Sequence, residues 1–306
     1  MTPTLLLAEA VPLASALAAE IARTEGIRLL CIKGPSAAIL GLREPRVSSD
    51  VDVLVDPAQW DAFVDQLVRR GWKARVESDA PRFFPRHSQT YSHPAWPCDI
   101  DVHHQYPGFF AAPGEAFAVL WPRRTSVALA GVDVEVPDRI ASGLILAVHA
   151  LRDPEAPRSI SELALLETRL VNDSGDMQDV LQLAERLRAR STLRPFLRRL
   201  PGIGPLPEDL TSHELEAWLL LTANERTTAF HWWVALTKGP WARRPRILVK
   251  AFRPIVTALV RGEVSWTETV RSLRLHARGI RRSRAAFRRS RARRWTEDEQ
   301  GRRRSR

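Results

Sequence analysis

The residues with the most chemistry in them are four aspartates spaced two apart on two short apolar strings. In Ser49-Asp50-Val51-Asp52-Val53-Leu54-Val55, valines alternate with carboxylates. That is the period-two pattern of a strand with one buried face. Asp50 and Asp52 then share a face, roughly 6–7 Å apart at the backbone across two strand rises. In Cys98-Asp99-Ile100-Asp101-Val102-His103 the same alternation puts Asp99, Asp101 and His103 on one face. If the two strands are neighbours, three or four carboxylates converge. Like charges repel, so folding alone gives no reason for such a cluster, whereas bound cations do. Two divalent ions, about 3.5–4 Å apart in two-metal sites, need such a ligand set. Mg²⁺ takes few protein carboxylates and completes its shell with water and substrate phosphates. By parity alone, the partner of Asp50 and Asp52 is either Asp99 or Asp101.

The complementary half of a phosphate site lies upstream. The apolar string Leu29-Leu30-Cys31-Ile32 runs into Lys33-Gly34-Pro35-Ser36 and a short helical stretch to Leu40. A turn that opens a helix offers backbone N–H groups to phosphate oxygens, which singles out Gly34 and Ser36. Pro35 has no N–H, so Ser36 must carry more of the grip. A basic loop with Arg43 and Arg46 follows.

Three strings in this order, Lys33-Gly34-Pro35-Ser36, Arg46-Val47-Ser48-Ser49-Asp50-Val51-Asp52-Val53-Leu54-Val55 and Asp99-Ile100-Asp101-Val102-His103, resemble the nucleotidyltransferase superfamily of the DNA polymerase β type. Within it they look most like a branch with a Lys-Gly turn, a Ser-Asp-x-Asp strand and a later Asp-x-His strand. The resemblance runs from about Arg28 to Leu151 and loosely beyond. It departs at Pro35, where the superfamily usually carries Gly or Ser, and this bears on nucleotide affinity. The resemblance implies transfer of a nucleoside monophosphate from an NTP to a hydroxyl acceptor, releasing pyrophosphate; ATP is the expected donor, although no motif reads the base and GTP, CTP and UTP stay open. It implies Mg²⁺ or Mn²⁺ held by Asp50, Asp52 and Asp101, the Asp-x-His string selecting Asp101 over Asp99. It further implies Gly34 and Ser36 on the β- and γ-phosphates, Lys33 and Arg46 as counter-charges, and Ser49 and His103 lining the site. The acceptor stays open: a peptide, a small molecule, a protein or an RNA end. Two other readings stand beside this one. Asp50 and Asp52 can serve a metal-dependent glycosyltransferase using a nucleotide sugar, although only about thirty residues precede the first strand. Alternatively the site is degenerate and the chain is a binding or scaffold protein.

These residues need a scaffold to position them. Leu5 to Thr24 has helical apolar spacing, stopped by Gly26. Asp56, Pro57 and Gln59 read as N-cap, first and third helical positions. They start a helix to Arg70 with Trp60, Phe63, Val64, Leu67 and Val68 as its buried face. Trp72 to Glu77 reads as a strand, and Ser78 to Ser88 as a substrate-facing lid. Thr90 to His93 pairs across Pro94–Pro97 with the Asp99 strand. Ser126–Leu129 and Val132–Val136 form a second hairpin, and Asp138 caps a helix to Leu151. Ser159-Ile160-Ser161-Glu162 is a capping-box pattern ahead of Leu163 to Val171. Helical periods follow over Asp176–Arg190, Glu214–Leu236, Arg246–Val260 and Trp266–Ala277. The expected fold is α+β: a small mixed sheet with flanking helices over 1–137, a helical domain over 138–280, and a disordered Arg-rich tail over 281–306.

Composition narrows the class. The 306 residues are 44% hydrophobic, enough for a sizeable core. No apolar run reaches the ~18 residues of a spanning helix, and the N-terminus, with Glu9 and no basic segment, does not read as a signal peptide. Cys31 and Cys98 fall on apolar strand faces and read as buried small hydrophobes. The expected location is the cytoplasm. His87, His93, His103 and His104 cluster without a zinc-ligand spacing, and His149 reads as a satisfied core histidine. Of the net charge of +11, the tail from 281 holds +9, with twelve Arg against two Glu and one Asp. Such a run can hold nucleic acid, an anionic membrane or an acidic partner, but with few interleaved aromatics it is not expected to be sequence-specific.

Overall fold

The computed structural model describes residues 5–76, 86–171, 174–222, 228–238 and 241–304. In chain order, α1 (Leu7–Glu25) is followed by β1 (Leu29–Ile32), α2 (Gly34–Ile39), β2 (Asp50–Val55), α3 (Trp60–Arg69), β3 (Lys73–Ala74), β4 (Ser88–Ser92) and β5 (Asp99–His103). Then come α4 (Pro113–Leu120), β6 (Arg124–Leu129), β7 (Val132–Pro137), α5 (Arg139–Leu151), α6 (Pro157–Arg169), α7 (Ser174–Arg186) and α8 (Arg190–Leu197). The last four are α9 (Ser212–Thr222), α10 (Thr228–Lys238), α11 (Arg244–Val260) and α12 (Trp266–Arg304).

Five strands make one mixed sheet in the order β1-β2-β5-β4-β3. β2 and β5 run parallel, while the other neighbours are antiparallel. The alternation seen in the sequence is the alternation of the pleat. Val51, Val53, Val55, Ile100 and Val102 turn to one face and are buried with α1 residues Val11, Ala14, Ala18 and Ile21. Burying each such aliphatic side chain is worth about 1.5–3 kcal/mol, and that face fixes the register. Cys31 and Cys98 are free thiols in the same core. Burial pushes Cys31 up to about 12 and Cys98 up to about 11, so neither is a nucleophile at neutral pH. The β6–β7 hairpin closes the core with Val127, Leu129, Val134 and Val136. The opposite face of β2 and β5 carries the four aspartates, followed by the buried Leu54 and His103.

Several local expectations change. Asp56 caps, but it caps a single 3₁₀ turn, Pro57–Gln59, accepting from the Ala58 N–H at 3.0 Å while it pairs with Arg28. α3 therefore starts at Trp60. Phe63 and Leu67 carry its buried face, whereas Val68 is exposed. Among the described residues, the strand expected over 72–77 is Lys73–Ala74. α6 starts at Pro157, a favoured first position, and not after Ser159. Glu162 is thereby turned inward to pair with Arg43, both side chains 6% exposed. Of the helix expected over 214–236, the described residues form α9 and α10, and 223–227 lie outside the described residues. Most of the expected lid lies outside the described residues.

The packing does not break at 137. The first compact unit falls within Met1–Arg75 and Arg86–Leu215. It runs on because α5 is buried almost all round, with Leu144, Ile145, Leu146 and Val148 fully enclosed, and packs on β7, α6, α7 and α8. A second compact unit is formed from 216 onward, around Leu220, Phe230 and Val234. Residues 281–304, expected as a disordered tail, continue α12. Arg and Ala are strong helix formers and the segment has no Pro. No helix of the described residues is long and apolar enough to cross a membrane.

Candidate active site

The parallel pairing of β2 and β5 sets Asp50 opposite Asp99 and Asp52 opposite Asp101. His103, two residues beyond Asp101, shares its face. Its Nε2 lies 3.0 Å from Asp52 Oδ1 and 3.1 Å from Asp101 Oδ2. One ligand atom from each of Asp52, Asp101 and His103 falls within 4.8 Å of the others. Lys33, at the end of β1, brings its Nζ to 2.6 Å from Asp52 Oδ1, with both side chains only 10% exposed. The turn that delivers it is strained: Lys33 has φ 60° and ψ −145° without being glycine. Such a conformation costs about 1–3 kcal/mol and persists when surrounding contacts over-determine it. Thr90, opposite Asp101 on β4, donates its hydroxyl to Asp101 Oδ1 at 3.2 Å.

The electrostatics sort the carboxylates. Burial works against the charge on Asp52, but Lys33 and the His103 hydrogen bond outweigh it and hold this carboxyl far below the usual range. Asp101 is lowered too, its burial outweighed by His103. Burial also opposes an imidazolium at His103, yet the bonds to Asp101 and Asp52 raise its pKa above 6.5. Asp50 differs. Burial, then the neighbouring Asp52, raise it, and it takes only a 3.3 Å hydrogen bond from Ser49. It stands outside the group of three. Asp99 is tied to Arg75 at 2.8 Å, so of the two aspartates alike in parity it is Asp101 that joins the cluster.

Gly34 and Ser36 line a small pocket with Lys33, Asp50 and Asp52. The Ser36 hydroxyl donates to the Lys33 carbonyl at 2.6 Å and the residue is buried. A Cβ on Gly34 would meet the Ser48 hydroxyl at 3.7 Å. Arg46 faces Glu162 at 3.8 Å, beside the buried Arg43–Glu162 pair, and Ser49 is exposed. Three groups were not foreseen. Thr90 follows from the hairpin register. Tyr106 lies 5.7 Å beneath the Lys33 ammonium and donates to the Ile145 carbonyl at 3.1 Å; no local pattern announces it. His149 is not a satisfied core histidine: its Nδ1 is buried with no hydrogen-bond partner among the described residues, like His103 Nδ1. Burial, then the charges of Lys33 and Arg152, push His149 down to about 3, so it is neutral at neutral pH.

A family model described as uncharacterised nucleotidyltransferase matches residues 3–200. No curated protein matches the chain. Among solved structures, an antigenic nucleotidyltransferase-like protein from Paracoccidioides brasiliensis is 14% identical, covering 62% of this chain and 93% of its own, with a TM-score of 0.40. A lincosamide antibiotic adenylyltransferase, LnuA, in its lincomycin-bound form, is 12% identical over 57% of this chain and 96% of its own, with a TM-score of 0.32. The antibiotic-resistance factor ANT(2'')-Ia is 15% identical over 61% of this chain and 90% of its own, with a TM-score of 0.36.

Proposed function

The chain belongs to the uncharacterised nucleotidyltransferase family, and on that premise we infer that it moves a nucleoside monophosphate from an NTP, with ATP as donor, to a hydroxyl acceptor in a divalent-metal-dependent reaction that releases pyrophosphate. The observation that carries this reading is the gathering of Asp52, Asp101 and His103 within 4.8 Å, on two parallel strands next to the Lys33-Gly34 turn. The donor set fits a hard divalent ion such as Mg²⁺ or Mn²⁺, because two half-buried carboxylates with lowered pKa values converge there. A bound ion of this kind supplies charge stabilisation to the attacking and leaving oxygens.

The chain's own residues do the rest. Asp52 and Asp101 would hold the ion, and Asp50, which lines the small pocket together with Asp52, would add a carboxylate. His103 orients Asp52 and Asp101 by bridging them. Asp101 accepts the proton of the acceptor hydroxyl. Lys33, already on Asp52, can share its ammonium with a triphosphate oxygen. Gly34 leaves room for phosphate to approach the backbone. Ser36, whose hydroxyl is engaged by Lys33, contributes its N–H. Arg46 reaches the phosphates only by leaving Glu162. Catalysis is then positioning and charge stabilisation, as phosphoryl chemistry requires. Family membership speaks for nucleotidyl transfer over glycosyl transfer. One observation favours a second reading, a metal-free nucleotide-binding protein: Lys33 Nζ already neutralises Asp52 at 2.6 Å.

The test is calorimetric titration of each NTP with and without Mg²⁺ or Mn²⁺, on the wild type and on Asp52→Asn and Asp101→Asn, followed by an acceptor search with α-labelled ATP. Metal-dependent binding that both variants abolish supports the transferase. Binding that ignores metal supports the second reading, and no binding by the wild type overturns both.

A further inference from the structure

The second compact unit carries a surface that the proposed chemistry does not use. α11 packs on α10 and keeps Ile247, Ala251, Ile255 and Leu259 half-buried. The adjoining side shows Leu248, Val249, Phe252, Val256 and Val260 to solvent. At 3.6 residues per turn these five fall within an arc of roughly 120°, so they form one continuous stripe. Exposed basic residues flank it: Arg244 on one edge, Arg246 and Arg253 on the other, with Lys250 behind them. From 241 to 262 there are six Arg and Lys and no Asp or Glu. A tryptophan stands near each end, Trp241 at 80% exposure and Trp266, the first residue of α12, at 69%.

We propose that α11 is an interfacial anchor that lays this apolar stripe into an anionic lipid surface. The pattern is that of a helix lying in the plane of a membrane: an apolar arc, a cationic rim and amphipathic aromatic rings at headgroup depth. Both halves of the surface are matched by one partner, anionic headgroups for the rim and acyl chains for the stripe. A nucleic acid would take the basic rim and leave the aliphatic stripe in water. A second copy of the chain would cover the stripe but press two cationic rims together. The inference does not depend on the transferase reading.

The experiment is co-sedimentation of the full chain with vesicles of phosphatidylcholine containing about one third phosphatidylglycerol, and with phosphatidylcholine alone. Val249→Glu/Phe252→Glu and Lys250→Glu/Arg253→Glu are run beside the wild type, with circular dichroism as the folding control. All four positions are exposed, so the fold should survive. Expected are binding to anionic vesicles, at least ten-fold weaker binding to neutral ones, and a loss of ten-fold or more in each double variant. Failure of the wild type to sediment with anionic vesicles overturns the proposal. So does undiminished binding by Val249→Glu/Phe252→Glu, which would place the contact in the Arg-rich end of α12. A wild-type dimer that this variant makes monomeric, with no vesicle binding, overturns it in favour of a second copy. Oligonucleotide binding without vesicle binding overturns it in favour of nucleic acid.

Discussion

Acid should weaken this fold through His149 in a measurable and separable way. In the folded chain its pKa is pushed down to about 3 by burial and by the charges of Lys33 and Arg152, against about 6.5 in an unfolded chain. Between those values the unfolded state binds the extra proton, so stability rises with pH and is lost as pH falls from about 6.5 towards 3. At about pH 5 the two values correspond to a loss of about 2 kcal/mol relative to pH 8. His103 has the opposite sign. Its folded pKa is raised, so its contribution is present in acid and fades as pH climbs through the folded value. The two trends offset each other in the wild type, and only a difference isolates His149. The assay is urea unfolding of the wild type and His149→Gln at pH 8 and pH 5. The wild type should lose about 2 kcal/mol more than the variant across that interval. Equal losses would refute the view that burial beside Lys33 holds this imidazole neutral.

Three further outcomes are expected. Arg43→Met leaves the buried Glu162 carboxylate without its closest partner and should cost about 3–5 kcal/mol in chemical denaturation. The cost should fall at the lower end, because Arg46 stands 3.8 Å away, and Arg43→Met/Glu162→Leu should recover most of it. Gly143→Ala places a Cβ 2.3 Å from Leu170 Cδ1, where α5 meets the end of α6. It should lower stability by about 1–3 kcal/mol, seen as a lower midpoint in thermal unfolding, and a neutral result would mean that Leu170 repacks freely. Asp209 accepts the Arg190 and Ser191 N–H groups at 2.8 and 2.9 Å at the start of α8. Asp209→Ala should therefore cost about 1–2 kcal/mol, with the amides of 190 and 191 losing hydrogen-exchange protection first.

What could be read ahead of the structure was whatever depends on near neighbours in the chain. The alternation over 50–55 and 99–103 announced β2, β5 and their apolar faces, since a pleat repeats every two residues. The prolines at 94 and 97 centred the hairpin so that Thr90 falls opposite Asp101, as observed. Gly26 stops α1 in a left-handed conformation at φ 65°, and Asp138 caps α5 through the Ala141 N–H. What could not be read depends on distant residues. Nothing local says that Glu162 will meet Arg43 across more than a hundred residues, and the capping-box pattern around it pointed elsewhere. Nothing in an apolar helix says that His149 will lie near Lys33, and its neighbours in sequence made it look like ordinary core.

The choice between Asp99 and Asp101 shows where the boundary runs. Parity makes them equivalent, and charge repulsion alone would equally well spread a cation over either. Two contacts separate them. One is local: a histidine two residues beyond Asp101 shares its face, and with Asp52 directly across the parallel pair it closes a three-membered group. That half was present in the string Asp101-Val102-His103. The other is distant: Arg75, just past the edge strand β3, reaches back to neutralise Asp99. An acidic face built from four aspartates is thus resolved into a pair, bridged by His103, that can hold a cation, a third carboxylate, Asp50, whose raised pKa marks it as the one still lacking positive charge, and a fourth already neutralised by the protein. The positive charge missing at Asp50 is what a metal–nucleotide would bring, so Asp50→Asn should weaken metal-dependent NTP binding in calorimetric titration, and unchanged binding would remove Asp50 from the site.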